Sequence, residues 1–469
     1  MGKVFGMKQG SFKYIVLLVF ALSVLAFAGS TTSDSLATAV PDHLTLTWTG
    51  DPSTTMTVTW RTDIAVTRGV VQYQEGTGLT SAALKANADP REFVTDLGPT
   101  RLFSATLVRL SPNKRYSYRV GDGEHWSGVR SFQTADSGGH AFKFLVFGDS
   151  QSNLSGDPPY ALWRDTVQNA FKANPDAKFM VNMGDLVDFG QRGAHWNAWF
   201  AAAAGVIDAI PVMPILGNHE FFGSDDSTRP EYFLKQFALP QNGPEGLKSQ
   251  AYSYDYGSVH FVVLDSQKRE QEKRGDILKM QLAWLDADLA ASRADWKIVF
   301  FHRPPYGIMA RRPNEDVKAA FCPIIEKHRV NLVFNAHDHG IARTYPIRDG
   351  VYLKDPSQGT VYYVSGRSGR KTYPNLEKMP WSAFFYDPQD QPNYFVINVT
   401  DKKLTVVTIK QDGTVLDVYS IEKAGDADSV APQVLKPAAS VQPSCGIFPQ
   451  IRIALSGTRM SSKSWRRVF

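Results

Sequence analysis

Five short stretches between Asp149 and His339 each follow an apolar run and each carry side chains that metals bind. They are Gly148-Asp149-Ser150-Gln151, Gly184-Asp185-Leu186-Val187-Asp188, Gly217-Asn218-His219-Glu220, Val299-Phe300-Phe301-His302 and Ala336-His337-Asp338-His339. Carboxylate, amide and imidazole groups gathered where buried strands give way to loops are the layout of a metal-centred active site. The chemistry that fits is hydrolysis of a phosphate ester. That reaction needs an activated water and neutralisation of developing charge, and two metal ions about 3.5–4 Å apart with a shared carboxylate supply both. Asp149 and Asp185 are hard anionic ligands, either of which could bridge. Asn218 offers a neutral carbonyl oxygen, and His302, His337 and His339 offer imidazole nitrogens. A mixed oxygen and nitrogen set suits two ions of Fe, Mn or Zn better than Ca. His219, next to Asn218, is placed to give a proton to the leaving oxygen or to donate to the phosphate. Singly, each stretch has an ordinary explanation as a turn or a structural histidine. In order and at successive strand ends, they point to one site.

The elements that must position these groups fall into two regimes. Between about 42 and 134 the sequence is β throughout, with strands expected at 44–49, 56–60, 70–74, 103–110, 116–120 and 129–132. Short alternating or β-branched runs at that spacing predict a β-sandwich, here bounded at 40–135. The 110–116 stretch, Leu110-Ser111-Pro112 through Tyr116, resembles the tyrosine corner of fibronectin type III domains. After the joint 136–139 the pattern changes to strand–helix alternation. Strands are expected at 142–147, 179–183, 212–216, 259–264, 297–301 and 331–334, and helices at 160–173, 196–210, 280–292 and 315–328. Hairpin strands follow at 361–364, 394–399, 403–409 and 415–420. This alternation predicts a layered α/β domain over 140–423.

The bulk composition adds limits. With 469 residues, 43% hydrophobic and 21% charged, the chain can bury at least one large core. A formal charge of +5, with basic residues scattered rather than striped, argues against a nucleic-acid partner. Lys3, Lys8 and Lys13 precede the apolar run 14–28, and Ala26-Phe27-Ala28 puts small residues at a cleavage point. Residues 1–28 therefore read as a signal peptide, giving a secreted, periplasmic or extracellular protein with no stable membrane span after cleavage. Residues 424–469 lose periodicity and read as a disordered tail with a basic end. The two cysteines, Cys322 in a helical pattern and Cys445 in the tail, do not suggest a disulfide, so the site must be built from oxygen and nitrogen ligands. Nothing in the sequence sets an oligomeric state.

The five stretches resemble those of the calcineurin-like metallophosphoesterases, specifically the purple acid phosphatase family. That family's pattern runs Asp, Gly-Asp-x-x-Tyr, Gly-Asn-His-Asp/Glu, Val-x-x-His and Gly-His-x-His. The resemblance spans roughly 42–421, because larger family members also carry a fibronectin-like domain in front. It implies a two-sheet αββα sandwich and a dinuclear centre. Asp149, Asp185 and His339 would hold the first ion, and Asp185, Asn218, His302 and His337 the second, with His219 as proton donor. The chain departs from the pattern at three places. Asp188 stands where the purple enzymes carry the tyrosine that binds ferric iron, which implies a colourless protein. Gln151 stands where other metallophosphoesterases have a histidine, and Ala336 replaces a glycine. Gln151 and Asp188 are thus additional candidates for the first ion. Arg303, Tyr306 and Asn153 are candidates for contacting substrate phosphate.

The reading these features favour is an exported metal-dependent phosphatase that hydrolyses small phosphomonoesters by attack of a metal-bound hydroxide. The alternatives are a phosphodiesterase or nucleotide-processing hydrolase with the same centre, and a cell-surface binding protein whose hydrolase domain is degenerate.

Overall fold

A computed structural model describes residues 37–138, 141–152, 160–223 and 228–423. The expected signal peptide 1–28, the tail 424–469 with Cys445, and Asn153 lie outside the described residues.

The first part is all β: β1 (Asp42–Thr47), β2 (Met56–Asp63), β3 (Gly69–Glu75), β4 (Leu84–Thr95), β5 (Gly98–Leu107), β6 (Arg115–Gly121) and β7 (Arg130–Gln133), in the order β1-β2-β5-β4-β3-β6-β7. The sequence reading missed β4. Its outward residues are mostly polar and it contains Pro90, so only Ala88 and Phe93 are buried along it. One half of β4 pairs with β3 and the other with β5, so this long strand passes between the two faces of the sandwich. Trp48, Trp60, Phe103 and Tyr118 fill the space between them. The expected tyrosine corner forms: the Ser111 backbone N–H donates to the Tyr116 hydroxyl at 2.9 Å.

The second part has two facing sheets. One contains β8 (Phe142–Phe147), β9 (Met180–Asn182), β19 (Asn393–Val399), β20 (Lys403–Lys410) and β21 (Val415–Glu422), in the order β21-β20-β19-β8-β9. The other contains β10 (Tyr252–Tyr256), β11 (Val259–Val263), β12 (Trp296–Phe300), β13 (Leu332–Asn335), β14 (Ile341–Thr344), β17 (Val361–Ser365) and β18 (Ser382–Tyr386), in the order β10-β11-β12-β13-β17-β14-β18. A small hairpin, β15 (Ile347–Arg348) and β16 (Val351–Tyr352), stands apart. The helices are α1 (Ala161–Ala173), α2 (Gly193–Ala203), α3 (Glu231–Gln236), α4 (Ile277–Ala291) and α5 (Glu315–Lys327).

Period-two alternation in β12 shows why the layers form. Ile298 and Phe300 point to the core between the sheets, while Val299 and the following Phe301 point to the core under α4 and α5. Between the sheets, Tyr254, Phe261, Phe300, Phe334 and Tyr363 form a row of stacked rings across neighbouring strands, with successive centroids 4.9, 6.1, 5.8 and 5.0 Å apart. β11, β12, β13 and β17 run parallel, as do β8 and β9, so their C-terminal ends open on one edge.

Two expected elements differ. The helix expected over 196–210 ends at Ala203, and turns follow through the left-handed Gly205. The strand expected over 212–216 makes, among the described residues, one isolated bridge, Val212 with Met180; Met213 and Ile215 donate to the Met180 and Asn182 carbonyls, without forming a regular strand. The sandwich braces this region. Leu46 exchanges backbone hydrogen bonds with Ile207 and Val212, and Asp96 accepts from the Gly193 N–H at the start of α2. Arg61 joins Asp42 to Asn197 of α2.

Candidate metal centre

Six loops meet at the open edge, five of them the stretches singled out in the sequence. Asp149 follows β8, Asp185 follows β9, Asn218 ends the irregular segment beside β9, His302 follows β12, and His337 and His339 follow β13. Two turns touch backbone to backbone: a Cβ added to Gly184 would lie 2.5 Å from the Gly217 nitrogen, and one added to Gly217 would lie 2.2 Å from the Asp185 Oδ1. The Gly-Asp and Gly-Asn pairs are glycine-led for that reason. Asp185, His337 and His339 have φ of 50°, 73° and 58°, left-handed conformations that cost non-glycine residues energy and cluster at functional sites.

The side chains converge into two groups. Ligand atoms of Asp185, His302 and His337 lie within 4.8 Å of one another, as do those of Asp149, Asp185 and His339, and Asp185 belongs to both. His302 Nε2 is 3.3 Å from Asp185 Oδ2 and 3.2 Å from His337 Nδ1, and His339 Nε2 is 3.5 Å from Asp149 Oδ1. Backbone carbonyls set the ring orientations. Nδ1 of His302 meets the Met183 carbonyl (2.8 Å), that of His339 the Lys371 carbonyl (2.7 Å) and that of His219 the Asp188 carbonyl (2.7 Å), so each donates from Nδ1 and turns Nε2 to the cluster.

The electrostatics follow from burial. Desolvation pushes the Asp149 carboxyl well up, and Asp185 beside it adds to the rise. Burial also works to raise Asp185, but His302 and His219 outweigh it and hold that carboxyl well below its usual range. Burial would lower His302, yet Asp185 and Asp149 raise it to about 9. His337 and His339 are driven well down by burial, helped by His302 and by Lys371 respectively, so both are neutral and can offer lone pairs at neutral pH. Three buried atoms facing this chemistry have no hydrogen-bond partner: Asp149 Oδ1, Asn218 Oδ1 and His339 Nε2. Buried polar atoms are normally paired. Orphaned oxygen and nitrogen acceptors on two groups with a common carboxylate fit a pair of metal ions.

The remaining expected residues separate. The Gln151 carboxamide lies in the cluster; with its nitrogen donating to the Asp185 carbonyl (3.2 Å), its oxygen faces His219 Nε2 (3.1 Å) and Lys371 Nζ (3.3 Å). Asp188 is not in either ligand group. Its carboxylate accepts from the Ser152 N–H (2.8 Å) and the Tyr160 hydroxyl (3.1 Å), so it serves the site through its backbone carbonyl. Tyr306 is not brought to the cluster. Two prolines after Arg303 carry the chain away, and the ring packs against Tyr362 and Trp381 with Lys318 above it. Arg303 is buried with its charge committed to Glu270 (2.6 Å) and its Nε to Gln267 (3.0 Å), a brace rather than a free phosphate contact.

The sequence reading missed three features. Glu220 accepts from the backbone N–H groups of Asp185, Leu186 and Gly217 at 2.9, 2.8 and 2.7 Å, clamping two ligand loops together. Arg312 lies against His337. The sixth loop, 366–373 after β17, supports the first stretch through the N–H groups of Ser368 and Gly369 on the Asp149 carbonyl, and places Lys371 Nζ 2.8 Å from His219 Nε2. It has no carboxylate, amide or imidazole side chain to mark it in the sequence. The available signal was a Gly/Ser/Arg/Lys-rich loop directly after an apolar strand, as in the other five.

Comparison with known proteins agrees with this geometry. Residues 41–134 match the family model for the purple acid phosphatase N-terminal domain, and residues 142–340 match that for calcineurin-like phosphoesterases. The chain is 28% identical over 416 residues to acid phosphatase type 7 of Mus musculus, covering 80% of this chain and 90% of that protein. It is 30% identical over 304 residues to purple acid phosphatase 15 of Arabidopsis thaliana, covering 58% and 53%. Its fold superposes on a purple acid phosphatase from seeds of yellow lupin (Lupinus luteus) with a TM-score of 0.68 at 19% identity, over 83% of this chain and 75% of that one. With a fold that implies a dinuclear centre and two ligand groups sharing one aspartate, the chain belongs to the purple acid phosphatase-like branch of the calcineurin-like phosphoesterases and is a phosphoesterase enzyme.

Proposed function

We propose that the enzyme is an exported phosphatase of small phosphomonoesters. The observation that carries this reading is the pair of buried ligand groups sharing Asp185. Asp149, Asp185 and His339 would hold one ion, and Asp185, Asn218, His302 and His337 the other, with Gln151 beside the first. Two ions so held supply charge for the phosphoryl oxygens and a water acidic enough to react near neutral pH. The ion types that suit this ligand set are Fe, Mn and Zn, and without a tyrosine at position 188 the protein is colourless.

The chain's own groups do the rest. His219 is the proton donor in this scheme: its Nδ1 is fixed on the Asp188 carbonyl and its Nε2, 3.9 Å from Asp185 Oδ2, accepts from Lys371 Nζ, so the ring would first have to take a proton on Nε2 before passing it to the departing oxygen. Glu220 holds the loops of Asp185 and Asn218 in register. The N-terminal sandwich, proposed as a unit over 40–135 ahead of a hydrolase unit over 140–423, positions α2 and the segment leading to Asn218. Export rests on the lysine-led apolar run 14–28, and sequencing the N-terminus of protein recovered outside the cytoplasm tests it. Among the described residues, no helix is long and apolar enough to cross a membrane.

The deciding experiment combines elemental analysis of the purified protein with turnover of an aryl phosphate monoester and the matching diester. Two ions per chain and preferential monoester hydrolysis support the reading. Preference for the diester replaces it with a phosphodiesterase. Metal-free protein that hydrolyses neither ester ends it in favour of a binding role.

A further inference from the structure

Four basic side chains surround the metal-ligand cluster, and they are not equivalent. Arg303 is neutralised by Glu270, and Arg367 spends its guanidinium on the carbonyls of Pro388 and Gly369. Lys371 and Arg312 are different. Both are only partly buried, and among the described residues neither forms an ion pair with a carboxylate. Lys371 Nζ donates to His219 Nε2 at 2.8 Å. The Arg312 guanidinium rests on the His337 ring, with weaker contacts to Met309 Sδ and the His337 carbonyl at 3.5 Å each.

One ring holds the two cations in place. The Arg312 guanidinium carbon is 5.1 Å and Lys371 Nζ 5.3 Å from the centroid of Tyr373, whose ring lies 4.5 Å from that of His339. Both cations therefore stand over the ligand cluster, one beside His337 and the other beside His219. His337 turns Nδ1 to His302 Nε2 at 3.2 Å; were an ion held on that nitrogen, the ring hydrogen would sit on Nε2, which could then no longer accept from Arg312, and the guanidinium would be free for another partner.

Charge completes the argument. The two ligand groups contain two carboxylates, Asp149 and Asp185, and the Asp338 and Glu220 carboxyls beside them accept from backbone N–H groups, so two metal ions and two further cations would still leave the site net positive. Unpaired cations in a partly desolvated site favour an anion, and favour it more steeply the more charge that anion carries.

We propose that Lys371 and Arg312, spaced by Tyr373, form a two-cation clamp that takes a doubly charged phosphoryl end and discriminates against a phosphodiester, whose phosphorus bears a single charge. The inference rests on the hydrolase reading above and adds to it the residues that set ester class. Lys371 and Arg312 are substrate-binding residues in this scheme; Tyr373 is a positioning residue.

The test uses the full-length metal-loaded protein and its Lys371→Gln, Arg312→Gln and Lys371→Arg variants, each checked for metal content and thermal stability. Two measurements are made: kcat/KM for an aryl monoester and its diester, and the affinity for inorganic phosphate by titration calorimetry. Each glutamine variant is expected to keep its metals and lose about 10–100-fold in monoester kcat/KM, the scale of one lost charge-assisted hydrogen bond. The diester should lose less than the monoester, so that the monoester-to-diester ratio falls at least about fivefold. Phosphate affinity should fall alongside the monoester rate, and Lys371→Arg should retain most of both. A ratio shifted by less than about fivefold, or losses that simply track lost metal, overturns the clamp. If the wild type holds two metals yet hydrolyses neither ester, the hydrolase reading fails. The phosphate titration then decides the clamp alone: weaker binding in the variants supports it and equal binding overturns it.

Discussion

Metal removal should destabilise this protein by an amount the orphaned atoms set. Asp149 Oδ1, Asn218 Oδ1 and His339 Nε2 are buried without hydrogen-bond partners. An unsatisfied buried polar group costs about 1–3 kcal/mol, so ions that satisfy all three can return about 3–9 kcal/mol. Mass action gives a consistent figure: two sites each held at about 100 times their dissociation constant contribute about 5 kcal/mol. With an unfolding entropy near 2.1 cal/mol/K per residue over about 400 residues, one degree corresponds to about 0.8 kcal/mol, so loading should raise Tm by roughly 4–11 °C. The assay is thermal unfolding of chelator-stripped and reconstituted protein, with metal content measured on the same samples. Two variants sharpen it. His337 belongs to one ligand group, so His337→Ala should keep about half of the metal-dependent shift. Asp185 belongs to both, and because asparagine tolerates its left-handed backbone, Asp185→Asn should remove the shift while the metal-free protein still folds. Equal shifts in the two variants would refute the shared-ligand geometry. A wild type whose Tm ignores bound metal would refute the cost assigned to the orphaned atoms.

Other consequences can be measured separately. Because His302 is raised to about 9 and must lose its proton to bind metal, affinity should fall about tenfold per pH unit as pH drops below 9; chelator competition at pH 6, 7 and 8 checks this, and pH-independent affinity would contradict it. Glu220→Gln sets an amide N–H₂ against at least one of three backbone donors, and should weaken metal binding about 10–100-fold; unchanged affinity would show the brace to be dispensable. Far from the site, burial works to lower His260, but the hydrogen bonds its ring donates to Asp255 and Asp288 raise it to about 9. Its charged form therefore stabilises the fold fully below pH 6.5, and that stabilisation is lost as pH rises through about 9. The rise would give about 3.4 kcal/mol, reduced to about 2 kcal/mol because Asp255 is mostly in water. Urea denaturation at pH 6 and 9.5 should show the gap between wild type and His260→Gln shrinking by that amount.

Much of the architecture was legible because its periodicities are strong. Apolar runs such as 142–147 and 297–301 have both faces buried, and the carboxylate, amide and imidazole groups sit immediately after them. Local signals failed where pairing, not composition, makes the element. β4 is a strand because β3 and β5 hydrogen-bond its two halves, although few of its own side chains are buried. The 212–216 stretch has the apolar content of a strand, yet it meets β9 through one isolated bridge and a few backbone hydrogen bonds.

The metal-binding residue types, their order and the strand ends that present them can be read along the chain, because a ligand must be a particular side chain and a buried strand must be apolar. Which of those residues share a centre, and which cations face it, is settled by folding alone. Arg303 and Arg312 are equally basic in sequence; what separates them is that folding pairs one with Glu270 and leaves the other, among the described residues, without an ion pair. Asp188 and Asp185 are equally acidic, but the Ser152 N–H and the Tyr160 hydroxyl take up the first, while the second stays between His302 and His219. Charge is a property of the residue. Whether that charge is spent or available is a property of its neighbours, and those are assembled from loops far apart along the chain.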